Sequence, residues 1–218
     1  MKTVLCYGDS NTWGSATVAR PDGRYGYDER WPGVLSHRLG SGWLVIEEGL
    51  PGRTTVSDDP VEGTDRNGRS YLTPCLQSHR PLDLVVIMLG TNDLKIRFNK
   101  PAAEIAAGVG ALVDDVRTAG VGPGESVGRD GAVPEILVIA PPPTRENLKD
   151  RADMFQDAPA KSKRLAETYG RMAAEKKVHF LDAGSVIESS EVDGFHLDPE
   201  AHQALGQAVA DKIVEIFV

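Results

Sequence analysis

TVLCYGDSNTWG, residues 3–14, joins a short apolar run to a polar turn that begins with glycine. An uninterrupted apolar run of this kind favours a strand buried on both faces. A serine placed where such a strand turns into a helix has an exposed hydroxyl and a backbone N–H without an intrahelical acceptor. Ser10 therefore combines a candidate nucleophile with a candidate oxyanion donor. The competing interpretation is that Asp9 or Ser10 only caps the following helix.

Four more apolar runs follow along the chain, at residues 43–46, 84–89, 136–140 and 178–181. Segments with apolar residues at helical spacing lie between and after the runs, at residues 34–39, 105–116, 165–172 and 205–216. This alternation predicts an α/β protein whose mostly parallel sheet is covered by helices on both faces. Ligands of such sheets bind beyond the carboxyl ends of the strands, so we expect the chemistry just after the apolar runs.

Composition and charge argue against several classes of protein. The 218 residues carry 24 Lys and Arg against 32 Asp and Glu, a net charge of −8, which disfavours nucleic acid and anionic membranes as partners. The length predicts a single domain over residues 1–218. Because the first apolar run is too short for a secretion signal or a membrane span, we expect a cytoplasmic protein. Cys6 and Cys75 lack the spacing of a zinc site or a disulfide framework, and we predict buried free thiols.

Three segments are long for loops: residues 13–33, 120–134 and 141–160. The first and third follow strand ends, where a pocket is expected, whereas the second precedes a strand and so belongs to the opposite edge of the sheet. That second segment contains GESVG, residues 124–128, which matches the G-x-S-x-G pattern of nucleophile elbows. The pattern requires a strand before it and a helix after it, and this segment is predicted to be a loop. We therefore interpret the match at Ser126 as coincidental.

DGFH, residues 193–196, lies between the last apolar run and the last predicted helix. An Asp three residues before a His can fix the tautomer of the imidazole and stabilise the imidazolium that forms when the ring accepts a serine proton. Two other strand ends carry residues suited to acyl chemistry. The Asn92 amide can donate to an oxyanion, and Gly52 lets its N–H approach a ligand without a Cβ in the way. Each is also an ordinary turn residue, and only the combination with Ser10 favours catalysis.

Four blocks occur in order across almost the whole chain: GDSNTWG (8–14), EEGLPGRTT (47–55), GTND (90–93) and DGFH (193–196). Together they resemble the SGNH superfamily, also called GDSL-type hydrolases, and most closely its bacterial arylesterase and acyltransferase branch. The resemblance implies a flavodoxin-like, three-layer α/β/α sandwich with a five-stranded parallel sheet. It also implies Ser10 as nucleophile, His196 as base, Asp193 as the partner that orients the base, and an oxyanion hole made by Ser10, Gly52 and Asn92. The chain has Asn11 where the letters G-D-S-L of the family name have leucine. This difference bears on which acyl groups the protein prefers.

The resulting hypothesis is a serine esterase that hydrolyses short-chain acyl or aryl esters of small molecules through an acyl-enzyme on Ser10. Relatives in this branch also pass acyl groups to alcohols or peroxide. The residues predicted to line the substrate pocket are Asn11, Trp13, Met154, Phe155 and Phe195. The alternatives are a carbohydrate O-deacetylase and, from a different class, a non-catalytic flavodoxin-like binding module.

The sequence pattern indicates neither a cofactor nor a metal site. An aspartate-dependent phosphatase has little support, because paired aspartates that would hold magnesium beside a nucleophilic carboxylate are missing from the sequence. Four other histidines are interpreted as structural or solvated: His37, His79, His179 and His202. Self-association into a homo-oligomer is left open.

Overall fold

A parallel sheet forms the centre of the molecule. The computed structural model describes the whole chain except the side chain of Arg129. Within that description the sheet has five strands: β1 Lys2–Gly8, β2 Trp43–Gly49, β3 Leu84–Met88, β4 Glu135–Ala140 and β5 His179–Asp182. They lie in the order β2-β1-β3-β4-β5, and neighbouring strands are parallel. Each strand overlaps one of the predicted apolar runs, so the predicted α/β fold is confirmed.

Helices cover both faces of this sheet. They are α1 Ser10–Trp13, α2 Trp31–Leu39, α3 Gly68–His79, α4 Ala102–Ala119, α5 Ala158–Ser162, α6 Leu165–Lys176 and α7 Pro199–Phe217. Alternate residues of β1 point to opposite faces: Val4 and Cys6 join the core under α2 and α7, while Leu5 and Tyr7 join the core under α3, α4 and α6. The burial of apolar side chains in these two cores is the main term that stabilises the layers.

The structure differs from the sequence interpretation at helix α3 and at the two outer strands. Helix α3 was not predicted, because Pro74 lies inside it and interrupts a pattern in which Leu72, Cys75 and Leu76 are buried. Strands β2 and β5 are also less buried than β1, β3 and β4. They form the two edges of the sheet, so the expectation that every run is buried on both faces is wrong for these two strands.

The strand order determines where a ligand can bind. After β1 the chain crosses to β2 on one side of β1, and β3 lies on the other side, which leaves a crevice at the carboxyl ends of these strands. The turns after β1, β2 and β3 carry Ser10, Gly52 and Asn92. The Gly/Pro-rich segment 120–134 lies at the other edge, where the carbonyl of Val121 accepts the N–H of Leu82 just before β3.

Membrane insertion finds no support among the helices. In the part of the chain that the structure describes, each helix is too short or too polar to cross a bilayer.

Two helix glycines offer a matched test of how closely α7 packs. A Cβ on Gly206 of α7 would lie 2.7 Å from both the Trp31 carbonyl oxygen and the Val34 Cβ of α2, whereas a Cβ on Gly170 of α6 would meet Phe180 at 3.4 Å. Gly206→Ala is therefore expected to lower the free energy of unfolding by about 1–3 kcal/mol, because two backbones must separate. Gly170→Ala is expected to raise it by about 0.5–1 kcal/mol through reduced backbone entropy of the unfolded chain. Urea unfolding of both variants checks this, and equal effects in the two helices would contradict the close contact between α2 and α7.

Candidate active site

Ser10 lies at the first position of the four-residue helix α1, directly after β1. The Asp9 side chain caps this helix by accepting the Asn11 N–H at 2.9 Å, and Gly14 ends it with a φ of 90°. A Cβ on Gly8 would overlap the Thr12 hydroxyl, so the tight exit from the strand requires glycine. Asp9 therefore caps the helix, and Ser10, whose N–H begins the helix, can have a different role.

His196 lies beside Ser10 although 186 residues separate them in sequence. The Ser10 Oγ is 2.9 Å from His196 Nε2, and His196 Nδ1 is 2.7 Å from Asp193 Oδ2. An ionised carboxylate accepts only, so Nδ1 carries the proton, Nε2 is the acceptor and the serine hydroxyl donates to it. The geometry brings together the three residues that the sequence suggested for a proton relay.

The backbone of the 193–196 turn fixes the carboxylate. Asp193 Oδ1 accepts the N–H of Phe195 at 3.1 Å and that of His196 at 3.0 Å. Burial acts to raise the pKa of Asp193, but the hydrogen bonds and charge of His196 together with the backbone donors outweigh it, and the pKa is lowered. Asp193 is therefore ionised at neutral pH and can support an imidazolium.

A direct hydrogen bond joins the serine turn to the histidine turn. Asn11 Nδ2 donates to the Phe195 carbonyl oxygen at 3.1 Å, and Asn11 itself is 2 % exposed. The side chain thus holds Ser10 and His196 at their observed separation. The sequence predicts that Asn11 lines the substrate pocket, but the structure places its side chain between the two turns and outside the lining of the cavity.

Gly52 and Asn92 lie at the same cavity as Ser10. Gly52 has a φ of 83°, which glycine adopts without strain and other residues avoid. Asn92 Nδ2 donates to the Arg53 carbonyl oxygen at 3.1 Å and lies 3.4 Å from Asp9 Oδ2. An amide nitrogen carries two hydrogens, so the Arg53 bond orients Asn92 and leaves the second hydrogen for Asp9 or for a ligand.

The cavity around these groups has a volume of about 150 Å³. Met154, Phe155 and Phe195 form its apolar wall, as expected from the sequence, and the two phenylalanine rings stack with centroids 5.2 Å apart. Trp13 lies elsewhere: the Arg24 guanidinium lies 4.8 Å from the centre of its ring. The expectation that Trp13 lines the cavity is corrected, because the short turn of α1 directs its side chain toward the 15–24 segment.

An ionic network, which the sequence does not predict, also borders the cavity. Lys95, only 3 % exposed, places Nζ 2.6 Å from Glu62 Oε1, and both residues line the cavity. Arg97 bridges Glu62 and Asp59 at 2.7 and 2.5 Å. Burial acts to raise the pKa of Asp59, but the Arg97 hydrogen bond and two backbone donors bring it to about 2. The only sequence signal was Lys95 two residues after the GTND block.

Asp9 is a second buried acid at this site, 2 % exposed. Burial raises its pKa to about 6, and the Asn11 N–H and the nearby His196 and Arg53 offset this only in part. Asp9 thus ionises near neutral pH at a position next to the nucleophile.

The remaining cysteines and histidines lie outside this cavity. Cys6 and Cys75 are buried thiols, as predicted. His37 and His179 are exposed and face carboxylates, His79 pairs with Glu48, and His202 is buried and accepts the Trp31 N–H.

A larger surface groove of about 800 Å³ runs between α4 and α6, and its described lining contains no serine, cysteine or histidine.

Known proteins share the sequence pattern and the fold. Residues 6–204 match the family model described as the GDSL-like Lipase/Acylhydrolase family. Est24, a carbohydrate acetylesterase from Sinorhizobium meliloti, is 45% identical, with 99% of this chain and 100% of that chain covered and a TM-score of 0.91. The native aryl esterase of M. smegmatis is 43% identical, with 99% of each chain covered and a TM-score of 0.91. None of the curated proteins that were compared matches the chain.

Replacement of Asp9 tests the consequence of its burial. The native state holds this proton up to about pH 6, whereas the unfolded chain loses it near 3.8. Stability therefore falls as pH rises through this window, because the native state then contains a buried charge. Asp9→Asn keeps an acceptor for the Asn11 N–H and is expected to raise the free energy of unfolding by roughly 3 kcal/mol at about pH 8, a gain that disappears below about pH 4.

Denaturant titrations at several pH values measure this difference, with the exposed Asp153→Asn as the matched control. Parallel pH profiles for the parent and Asp9→Asn would show that Asp9 does not titrate as its burial requires.

Proposed function

The chain belongs to the GDSL-like lipase/acylhydrolase family of carboxylic ester hydrolases, and on that basis we propose that it cleaves short-chain acyl and aryl esters through an acyl-enzyme on Ser10. The observation that supports this most strongly is the continuous relay from Asp193 through His196 to the Ser10 hydroxyl. Membership of a hydrolase family also argues against the alternative of a non-catalytic binding module.

The relay suits two-step acyl transfer. In the first step Ser10 Oγ attacks the ester carbonyl carbon while His196 Nε2 accepts the hydroxyl proton. The tetrahedral intermediate then collapses, the carbon–oxygen bond to the alcohol breaks, and His196 returns the proton to the leaving oxygen. In the second step a water repeats the sequence on the acyl-enzyme and releases the acid. Asp193 holds the ring in one tautomer throughout and stabilises each imidazolium.

The charge that develops on the carbonyl oxygen needs donors already in place. We assign these to the N–H groups of Ser10 and Gly52 and to the Asn92 amide, since all three residues border the cavity. Asn92 is held by the Arg53 carbonyl before substrate arrives, so little reorganisation is needed during reaction.

The size and apolar wall of the cavity favour a short acyl chain. A volume of about 150 Å³ is what an apolar cavity needs to hold a benzene-sized molecule and is below the range of drug-sized pockets. The same aromatic wall disfavours bulk water next to the acyl-enzyme, which supports transfer to an alcohol or peroxide in competition with hydrolysis.

A carbohydrate acetylesterase is the second candidate, and the ionic wall of the cavity favours it. Glu62, Lys95 and Arg151 border the same cavity as the nucleophile. Charged groups of this kind hydrogen-bond sugar hydroxyls and offer little to a phenyl ring. Est24, similar over nearly the full chain, carries this description.

Replacement of the nucleophile tests the proposed mechanism. Ser10→Ala is expected to lower kcat for p-nitrophenyl acetate by roughly 10⁴-fold or more, because the covalent route is lost. Asn92→Ala is expected to lose about 10²–10³-fold, since the other oxyanion donors remain. Ser126→Ala, in the exposed segment at the opposite edge, serves as the control and should match the parent. A fully active Ser10→Ala together with an inactive Ser126→Ala would overturn the assignment.

A panel of esters tests the acyl and alcohol preferences. With a constant p-nitrophenol leaving group, kcat/KM is expected to fall from acetyl to octanoyl esters, because the cavity cannot enclose the longer chain; an optimum at octanoyl would refute this. With a constant acetyl group, a higher kcat/KM for acetylated xylose than for phenyl acetate would favour the second candidate over the first.

A further inference from the structure

Three side chains of different chemistry meet outside the cavity, at the carboxyl end of β2. Cys75 and His79 lie one turn apart on the same face of α3, and Glu48 extends from β2 toward them. One sulfur, one nitrogen and one oxygen of these residues all lie within 4.8 Å of one another. The His79 Nε2 is 2.9 Å from Glu48 Oε1.

The donor set determines which cation would fit. Magnesium and calcium prefer oxygen ligands alone, whereas thiolate, imidazole and carboxylate together suit zinc and similar metals. Bond lengths of about 2.0–2.3 Å in a tetrahedral site place ligand atoms about 3.5 Å apart. The ligand atoms lie within 4.8 Å of one another, so the longest separation needs to shorten by at most about 1.3 Å, which side-chain rotation supplies.

We propose that Glu48, Cys75 and His79 form a binding site for a thiophilic divalent cation of the Zn²⁺ class, with one water as the fourth ligand. This goes beyond the proposed function, since none of the three residues belongs to the relay or the oxyanion donors. It also revises the expectation that the chain has no metal site: the sequence spacing shows Cys75 and His79 only, and Glu48 joins them through the fold.

Charge balance supports the site. The Glu48 carboxylate and a Cys75 thiolate carry two negative charges, which cancel those of a divalent cation. The occupied cluster is thus neutral. Arg53 is close to it: the guanidinium donates to the Glu48 backbone carbonyl and lies 4.1 Å from the centre of the Tyr7 ring. Binding replaces the Cys75 thiol proton with the metal–sulfur bond, and the proton passes to solvent.

The cluster is open to solvent on one side. The side chains of His79 and Glu48 are 31% and 19% exposed, while Cys75 is fully buried behind them. A cation can therefore approach from solvent between the His79 imidazole and the Glu48 carboxylate. The Cys75 sulfur then binds it from the buried side. The exposed pair His179 and Glu135, whose atoms approach to 3.0 Å, offers a histidine and a carboxylate of similar geometry. It supplies the matched control.

Titration of the apo protein with Co²⁺ and Zn²⁺ tests the site directly. The parent is expected to bind one equivalent of Zn²⁺ by calorimetry with release of one proton, and Co²⁺ should produce a sulfur-to-metal charge-transfer band. Cys75→Ser should abolish that band, and His79→Gln should weaken Zn²⁺ binding at least about tenfold. Cys6→Ser and His179→Gln should behave like the parent.

Two results would overturn the proposal. One is a parent that shows no charge-transfer band and no saturable Zn²⁺ binding. The other is a loss in His179→Gln that equals the loss in His79→Gln. Should Cys75→Ser fail to fold, as circular dichroism would show, the two histidine variants still decide the question. All readouts are independent of ester hydrolysis, so failure here leaves the proposed function untouched.

Discussion

The contact between the Ser10 hydroxyl and the His196 ring is the interaction on which the proposed chemistry depends. Its two partners come from opposite ends of the chain, and neighbouring hydrogen bonds hold them in place. Asn11 binds the Phe195 carbonyl, and Asp198 accepts the hydroxyls of Thr17 and Ser190 at 2.6 and 2.7 Å. The first strand turn and the loop before α7 are therefore fixed to each other by side chains other than the relay itself, which is how a site is preorganised.

Buried acidic side chains also lie at the carboxyl edge of the sheet, next to these contacts. Asp93 accepts the Thr55 N–H at 2.8 Å and its hydroxyl at 2.6 Å, and so joins the turns after β2 and β3. Burial raises the pKa of both Asp93 and Asp9, although hydrogen bonds oppose the shift. Ionised carboxylates in such places destabilise the native state, a common trade of stability for function at enzyme sites.

The sequence allowed prediction of much of the fold, because parallel strands that are buried on both faces are uniformly apolar. The sequence also allowed us to predict which edge of the sheet carries the candidate active site, since residues at the carboxyl ends of neighbouring strands must meet. Helix α3 escaped prediction because Pro74 interrupts its pattern. The position of Trp13 depends on the rotation of a four-residue helix, and the ionic wall around Lys95 depends on the path of three loops. The position of Trp13 leaves no local signal in the sequence, and the ionic wall leaves only Lys95 close to the GTND block.

Covalent labelling tests the central claim most directly. A fluorophosphonate reacts with a serine only where a base activates the hydroxyl and donors stabilise the developing charge. Intact-mass analysis followed by peptide mapping should find a single adduct on Ser10 in the parent. An adduct on Ser126 instead, or unlabelled protein that is shown to be folded, would contradict an acyl-serine mechanism.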